Sequence, residues 1–411
     1  MTQPRMLPGG YTPTAAEWAT WDIGDWDPGP NRRFRARHFR RLPKPLADAA
    51  ATKYRAVYDR EGFRAANTFL RELGEGFGRI PIRIALSNDD LKSYARQKAR
   101  ACADQITRIE SPGAQYQACA RIMQAIGITP PDLECFTLRG ALARARCEYW
   151  WRRQLRKSYL RRFEARAIEA GLVGRQAGLY ASNETVRLRR AQKTRNRALL
   201  DSIIAVNELG QEYTLAELAD LSVSNPRIRR GELMARLAGF ERIARTQGHA
   251  GELYTLTCPS RMHARLSPRG AENPRYDGST PRQAQEHLRR VWARMRAALH
   301  RRGVRVYGFR IAEPHHDGTP HWHLLLFMAP EHRHMVRGVM RRYALQDSPD
   351  EPGADKHRFQ FVAIDWNRGS ATGYLAKYIS KNIDGAHVGL DEYGSDARDS
   401  AERVEPWASR W

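Results

Sequence analysis

His321-Trp322-His323 is the pattern from which chemistry can first be argued. In an extended strand, residues i and i+2 point to the same side, so both imidazoles leave one sheet face together, as a two-point metal clamp needs. Neighbouring histidines also occur as ordinary packed or surface pairs, and the pair alone leaves both readings open. Glu313, upstream, adds a carboxylate. A two-residue turn at Asp317-Gly318 would put Glu313 opposite Trp322, on the wrong face. An odd-length loop centred on Gly318 would put it opposite His323, beside both imidazoles, and Pro314 and Pro320 disfavour the tight hairpin. Two imidazoles and one carboxylate with open positions suit a catalytic divalent ion, Mg²⁺ or Mn²⁺. His315, His316 and His263 are weaker ligand candidates.

The second constellation is Tyr374-Leu-Ala-Lys377-Tyr378-Ile-Ser-Lys381. On a helix, positions 374, 377, 378 and 381 share one face, while Leu375, Ile379 and Ile383 form a separate apolar stripe. Tyrosines and lysines commonly line solvated helix faces, so this face has an ordinary reading too. Phenol is a poor nucleophile near neutral pH. It needs a nearby cation, which Lys377 and Lys381 could supply, or a metal that makes a phosphate a better electrophile.

The elements that must carry these residues follow an α+β pattern. Strands are expected at Glu252–Cys258, Val304–Glu313, Pro320–Met328 and His357–Trp366. The third is apolar on both faces and therefore central. Helices are expected from Pro281 to Arg302, with Thr280 as N-cap at its start and Gly303 as its stop signal, over Glu331–Leu345, and over Ser370–Ile383. The order β-α-β-β-α-β plus one helix is the split βαβ, ferredoxin-like plan, an antiparallel sheet with helices on one face. The domains expected are an irregular arm over 1–47, a helical basic region over 48–247, an α+β domain over 248–390 that carries both constellations, and a tail over 391–411. Within the helical region, Thr214–Ala244 reads as two helices around a turn at Ser224-Asn225-Pro226, better matched to plain packing than to a helix-turn-helix.

Charge sets the class of partner. The 411 residues carry 69 Lys and Arg against 45 Asp and Glu, a net charge of +24. That excess excludes an ordinary neutral enzyme as the default and points to a polyanion. No run of 18 or more apolar residues exists, so a membrane is excluded as partner. Five cysteines in no zinc spacing indicate a reducing compartment. The most basic stretch places Arg152, Arg153, Arg156, Lys157, Arg161 and Arg162 among Trp150, Trp151, Tyr159 and Phe163. It reads equally as a solvated helix face or as a DNA-contacting helix whose cations meet phosphates and whose rings stack on bases.

Together the motifs resemble the HUH endonucleases with two catalytic tyrosines that start rolling-circle replication. The wording SNPRIRRGELMARLAGFE, TLTCPSRMH, EPHHDGTPHWHLLLF and GYLAKYISKNIDG is similar to that of the phage replication gene A protein family of peduovirus-type phages, over roughly residues 145–390. The resemblance implies a hydrolase-type, metal-dependent, site-specific nuclease. His321, His323 and Glu313 would hold the metal at single-stranded origin DNA. Tyr374 or Tyr378 would form a 5′-phosphotyrosine link and free a 3′-OH primer. Lys377 and Lys381 would contact phosphate or stabilise phenolate. It also implies work on duplex origin DNA in the cytoplasm of a bacterial host. No GxxxxGK[ST] loop is present, so unwinding would fall to a host replicative helicase. The tail ending ERVEPWASRW reads as cut short against the family. Competing readings are a two-tyrosine transposase, which would be expected to carry a cysteine-rich zinc module, a mobilisation relaxase, which would usually use a third histidine, and a non-catalytic basic DNA-binding protein.

Overall fold

The computed structural model describes residues 29–77, 88–266, 269–367, 369–386, 388–390, 393–394 and 396–411. The chain forms two compact units, one up to Leu172 together with Arg410, the other Val173–Ser409 with Trp411. The change in sequence pattern near residue 248 therefore does not mark this division, because 173–247 clusters with the sheet.

The first unit is helical: α1 (Gly29–Phe39), α2 (Lys44–Glu61), α3 (Phe63–Glu75), α4 (Asn88–Arg108), α5 (Pro112–Ala125), α6 (Leu138–Ala145) and α7 (Glu148–Glu169). Of the irregular arm expected over 1–47, residues 1–28 lie outside the described residues. Positions 29–39 and 44–47 are helical, which corrects that expectation; in α2, Pro45 sits near the start, where a missing N–H costs nothing. Leu91, Cys102, Trp151 and Leu155 pack at the centre of α4–α7.

The second unit begins with α8 (Asn183–Asp201), a short hairpin of β1 (Ile204–Val206) and β2 (Glu212–Thr214), α9 (Leu215–Asp220) and α10 (Pro226–Thr246). The hairpin interrupts the helical region expected over 48–247. Then come β3 (Ala250–Thr257), α11 (Pro281–His300), β4 (Tyr307–Pro314), β5 (Pro320–Met328), α12 (Arg333–Ala344), the short α13 (Ala354–His357), β6 (Phe359–Ala363), α14 (Ala371–Ile383) and α15 (Ala397–Arg410). The strand order is β4-β5-β3-β6, antiparallel throughout, which is the ferredoxin-like arrangement. All nine residues of β5 are buried, as a central strand requires.

Alternation along β5 sorts the two faces. Trp322, Leu324, Leu326 and Met328 pack with α11 and α12 residues such as Leu288, Met295, Val336 and Met340. Leu325 and Phe327 pack on the other face with Leu237 and Ala244 of α10 and Leu375 and Ile379 of α14. Helices thus cover both faces, not one. Helix α14 has an aliphatic stripe of its own, and α10, just upstream of β3, shares that cover.

Candidate active site

Glu313 pairs directly with His321 in the β4–β5 ladder, and Pro314 with Pro320. The connection is odd in length but centred on Asp317, one residue earlier than Gly318, so Glu313 stands opposite His321 and not His323. Both positions lie on the same face, and the cluster survives the shift. A backbone bond from Gly318 N to His315 O (2.8 Å) closes the turn. Gly318 has φ +83°, a conformation that favours glycine.

The three side chains converge. His321 Nε2 and His323 Nε2 are 3.0 Å apart. Glu313 Oε2 is 3.9 Å from the first and 3.6 Å from the second. All three residues are buried, and their ligand atoms lie within 4.8 Å of one another. Glu313 Oε2 has no hydrogen-bond partner. A buried carboxylate oxygen aimed between two imidazole nitrogens fits a divalent cation, because each donor keeps a lone pair for it. Burial, then the neighbouring His315, His323 and Lys381, pushes His321 well below its ordinary value, which keeps its ring neutral and able to ligate.

Neighbouring groups hold the ligands. His323 Nδ1 meets Thr255 Oγ1 at 3.1 Å, from the residue paired with it across β3–β5. Asn382 Nδ2 donates to Glu313 Oε1 (2.5 Å) and to Tyr378 O (2.7 Å), joining the carboxylate to the tyrosine helix. His315 lies against the His321 ring at 4.1 Å between centroids, and burial pushes it down to about 3. His263 Nδ1 is 3.2 Å from Asp317 Oδ2. Burial opposes ionisation of Asp317, yet His263, His315 and His316 hold it well below the usual carboxylate range. These weaker candidates form a layer behind His321 and stand outside the three-residue cluster.

Helix α14 brings the tyrosines. Ser370 caps its start, accepting from Gly373 N at 2.9 Å. Helix α10 fastens both ends. Glu241 accepts from Thr372 N (2.9 Å) and Thr372 Oγ1 (2.7 Å), and Arg230 Nε meets Asp384 Oδ2 at 2.9 Å. The Tyr378 ring stacks on His323, with centroids 4.0 Å apart and planes at 28°. Tyr374 is exposed. Lys377 Nζ lies 5.0 Å from the Tyr378 ring centroid. Lys381 departs from the shared open face expected for it. Its side chain is buried, 3.6 Å from Glu313 Oε2 and 5.6 Å from the Tyr180 ring centroid.

The tail expected over 391–411 contains a packed helix, α15. Trp407 Nε1 donates to Gly318 O at 2.7 Å, on the loop between Glu313 and His321. Arg403 donates to Leu179 O and Ala181 O, and Tyr180 beside them adopts φ +67°. Asn382 follows Tyr374 and Tyr378 at the same spacing of four, a signal readable in the sequence. No local signal announces Trp407.

The basic helix α7 belongs to the first unit, whereas the cluster belongs to the second. Trp150, Trp151, Tyr159 and Phe163 are all buried, which removes them as stacking platforms for bases. Arg162 donates to Phe77 O and Gly127 O, and Arg156 to Asn88 Oδ1. Arg153 and Lys157 are exposed, while Arg152 and Arg161 are half-buried. Among the described residues no helix is long and apolar enough to cross a membrane.

Fold and site define a class: an α+β protein whose ferredoxin-like sheet sets a two-histidine, one-carboxylate cluster beneath a helix with tyrosines four residues apart. A family model described as Bacteriophage replication gene A protein (GPA) matches residues 86–386. The chain belongs to that family. It is 40% identical to a Replication gene A protein of Escherichia phage 186, over 82% of this chain and 51% of the relative. It is 34% identical to a Probable replication protein P12 of Pseudoalteromonas phage PM2, over 90% and 63%. A Probable replication endonuclease from a prophage-like region of Shigella boydii is 40% identical over 66% and 34%. The chain therefore spans between a third and two thirds of the length of these relatives. No solved structure matches it.

Proposed function

We propose that the chain is a metal-dependent endonuclease that nicks one strand of a phage origin through a tyrosine and so starts rolling-circle replication. The observation that supports this most is the Tyr378 ring stacked on His323, itself grouped with His321 and Glu313. Relatives named as replication endonucleases support the same reading. Mg²⁺ or Mn²⁺ held by Glu313, His321 and His323 would polarise the scissile phosphate.

The remaining work falls to the chain's own side chains. Tyr378 Oη attacks phosphorus and its proton passes to solvent. The bond from phosphorus to the 3′ oxygen breaks, and that oxygen takes up a proton to become the 3′-OH primer. The 5′ phosphate stays on Tyr378 as an ester. Tyr374, one turn away, attacks the recopied origin in the same manner. The 3′-OH released there resolves the first ester. Each step exchanges one phosphate ester for another, so no ATP is consumed. Lys377 stabilises the phenolate, and Lys381 meets a non-bridging oxygen of the phosphate. Asn382 orients Glu313. The substrate is single-stranded origin DNA opened from duplex by a host replicative helicase in the bacterial cytoplasm. Arg152, Arg153, Arg156, Lys157, Arg161 and Arg162 neutralise backbone phosphates.

The test is a cleavage assay on supercoiled phage DNA and single-stranded origin oligonucleotides, with Mg²⁺ or Mn²⁺ and then EDTA, read on a denaturing gel. A metal-dependent covalent protein–DNA adduct, absent from the Tyr374→Phe, Tyr378→Phe double variant, is the expected result. Salt-sensitive binding with no adduct on any origin DNA would refute the nuclease reading.

A further inference from the structure

We propose that the open edge of the sheet, where β6 faces α12, is a second binding site for single-stranded DNA, distinct from the metal cluster. The choice of ligand rests on the nuclease reading above.

Strand β6 pairs with β3 on one side only. Ile364 N bonds to Gly251 O and Thr257 N to Arg358 O at the two ends of the ladder. By antiparallel alternation, Phe359, Phe361 and Ala363 then turn their backbone N–H and C=O groups to the open side. Phe361 and Val362 are 43% and 49% exposed, unusual for large apolar residues in a strand. Between them and α12 lies a cleft of about 460 Å³, into which Arg337, Gly338 and Arg341 also face.

The cleft has the chemistry of a nucleic-acid track. No acidic side chain lines it. The Arg337 guanidinium lies over the Phe361 ring at 4.1 Å. Glu252 holds it there and is shared with Arg333, so two cations meet one carboxylate and a positive charge is left over. Arg341 is exposed and makes no side-chain hydrogen bond or ion pair among the described residues. A Cβ at Gly338 would meet nothing within 4 Å, which leaves the floor open. A flat guanidinium–ring surface, a cation one turn away and a row of amide donors match the base, the phosphate and the backbone of an unpaired strand. Duplex DNA offers no base face to such a surface. An extended peptide could use the edge amides, but it would leave Arg341 without a counter-charge, so the charge favours a phosphodiester. Phe361 shares its face with Tyr254, opposite the face of His321 and His323. The strand held here is therefore not the segment at the metal cluster but its flank or the displaced strand.

The experiment uses the whole chain in EDTA, with fluorescence anisotropy of a labelled oligothymidine. Phe361→Ser and Arg341→Glu are each expected to weaken binding about fivefold or more. Phe361→Tyr should keep wild-type affinity. An oligonucleotide carrying 5-iodouracil should photo-cross-link to the peptide containing Phe361. Arg341 is exposed and outside the core, so its variant separates binding from folding. Wild-type affinity in both weakening variants, or cross-links confined to other peptides, overturns the site. The nuclease reading fails independently, through absence of a metal-dependent adduct in the wild type.

Discussion

Helices α7 and α14 both interleave aromatic rings with cations at helical spacing, yet the rings meet different surroundings. In α7, Trp151, Tyr159 and Phe163 are 0%, 1% and 1% exposed. In α14, Leu375 and Ile379 enter the core, Tyr378 lies on His323 and Tyr374 stays open. Spacing shows which residues share a stripe. It does not show which stripe the core takes. Helix α7 relies on its aromatic stripe for burial, and of its cations Arg153 and Lys157 stay exposed. Helix α14 has a separate aliphatic stripe, so its phenols remain available for chemistry.

The sharpest way to break this contrast is to remove one hydroxyl. Tyr378→Phe is expected to lower adduct formation about a thousandfold or more while shifting the melting temperature little, since the ring stays stacked. Equal activity in Tyr378→Phe and wild type would make Tyr374 the first nucleophile. In α7 the effects should invert. Trp151→Ala is expected to cost about 3–5 kcal/mol of stability by denaturant unfolding, with nicking per folded molecule unchanged. Next comes Asn382→Ala, which should weaken Mn²⁺ binding by calorimetry roughly 10- to 100-fold. An unchanged affinity would reduce its bond to Glu313 to packing.

Acid should act on the α14 side of the comparison through the buried histidines of β5 and the β4–β5 loop. Burial shifts His321 and His315 below the ordinary 6.5, the latter to about 3. The unfolded chain therefore binds protons below pH 6.5 that the native chain refuses, and stability is lost as pH falls from there toward 3. In EDTA, melting should drop roughly several degrees between pH 7 and pH 5, and less in His315→Asn. The smallest effect is expected on α7's rim. Arg153→Ala or Lys157→Ala should weaken DNA binding a few-fold and reduce the salt slope by about one each. A sequence-dependent loss instead would give these residues base contacts.

Much of the site was legible. His321 and His323 share a face because a strand alternates, and Tyr374 and Tyr378 share one because a helix turns in 3.6 residues. The strand order followed from short, polarised segments. Other features were not readable in the same way. The register of Glu313 depends on where a five-residue loop bends, and local residues allow more than one centre. Helical spacing puts Lys381 on the tyrosine face, but its side chain is buried against Glu313 of β4. Trp407 reaches Gly318 across 89 positions, a distance no local pattern can bridge.

The sequence by itself determined the charge class, the α+β order, and the histidine and tyrosine pairs, because each of these follows from composition or from a period within one element. Only the tertiary structure decided which helix covers which face, that α10 fastens both ends of α14, that Asn382 ties Glu313 to the tyrosine helix, and that α7's rings are core. Those outcomes depend on which distant surface arrives first-hand against each stripe, and burial of apolar area has no direction along the chain.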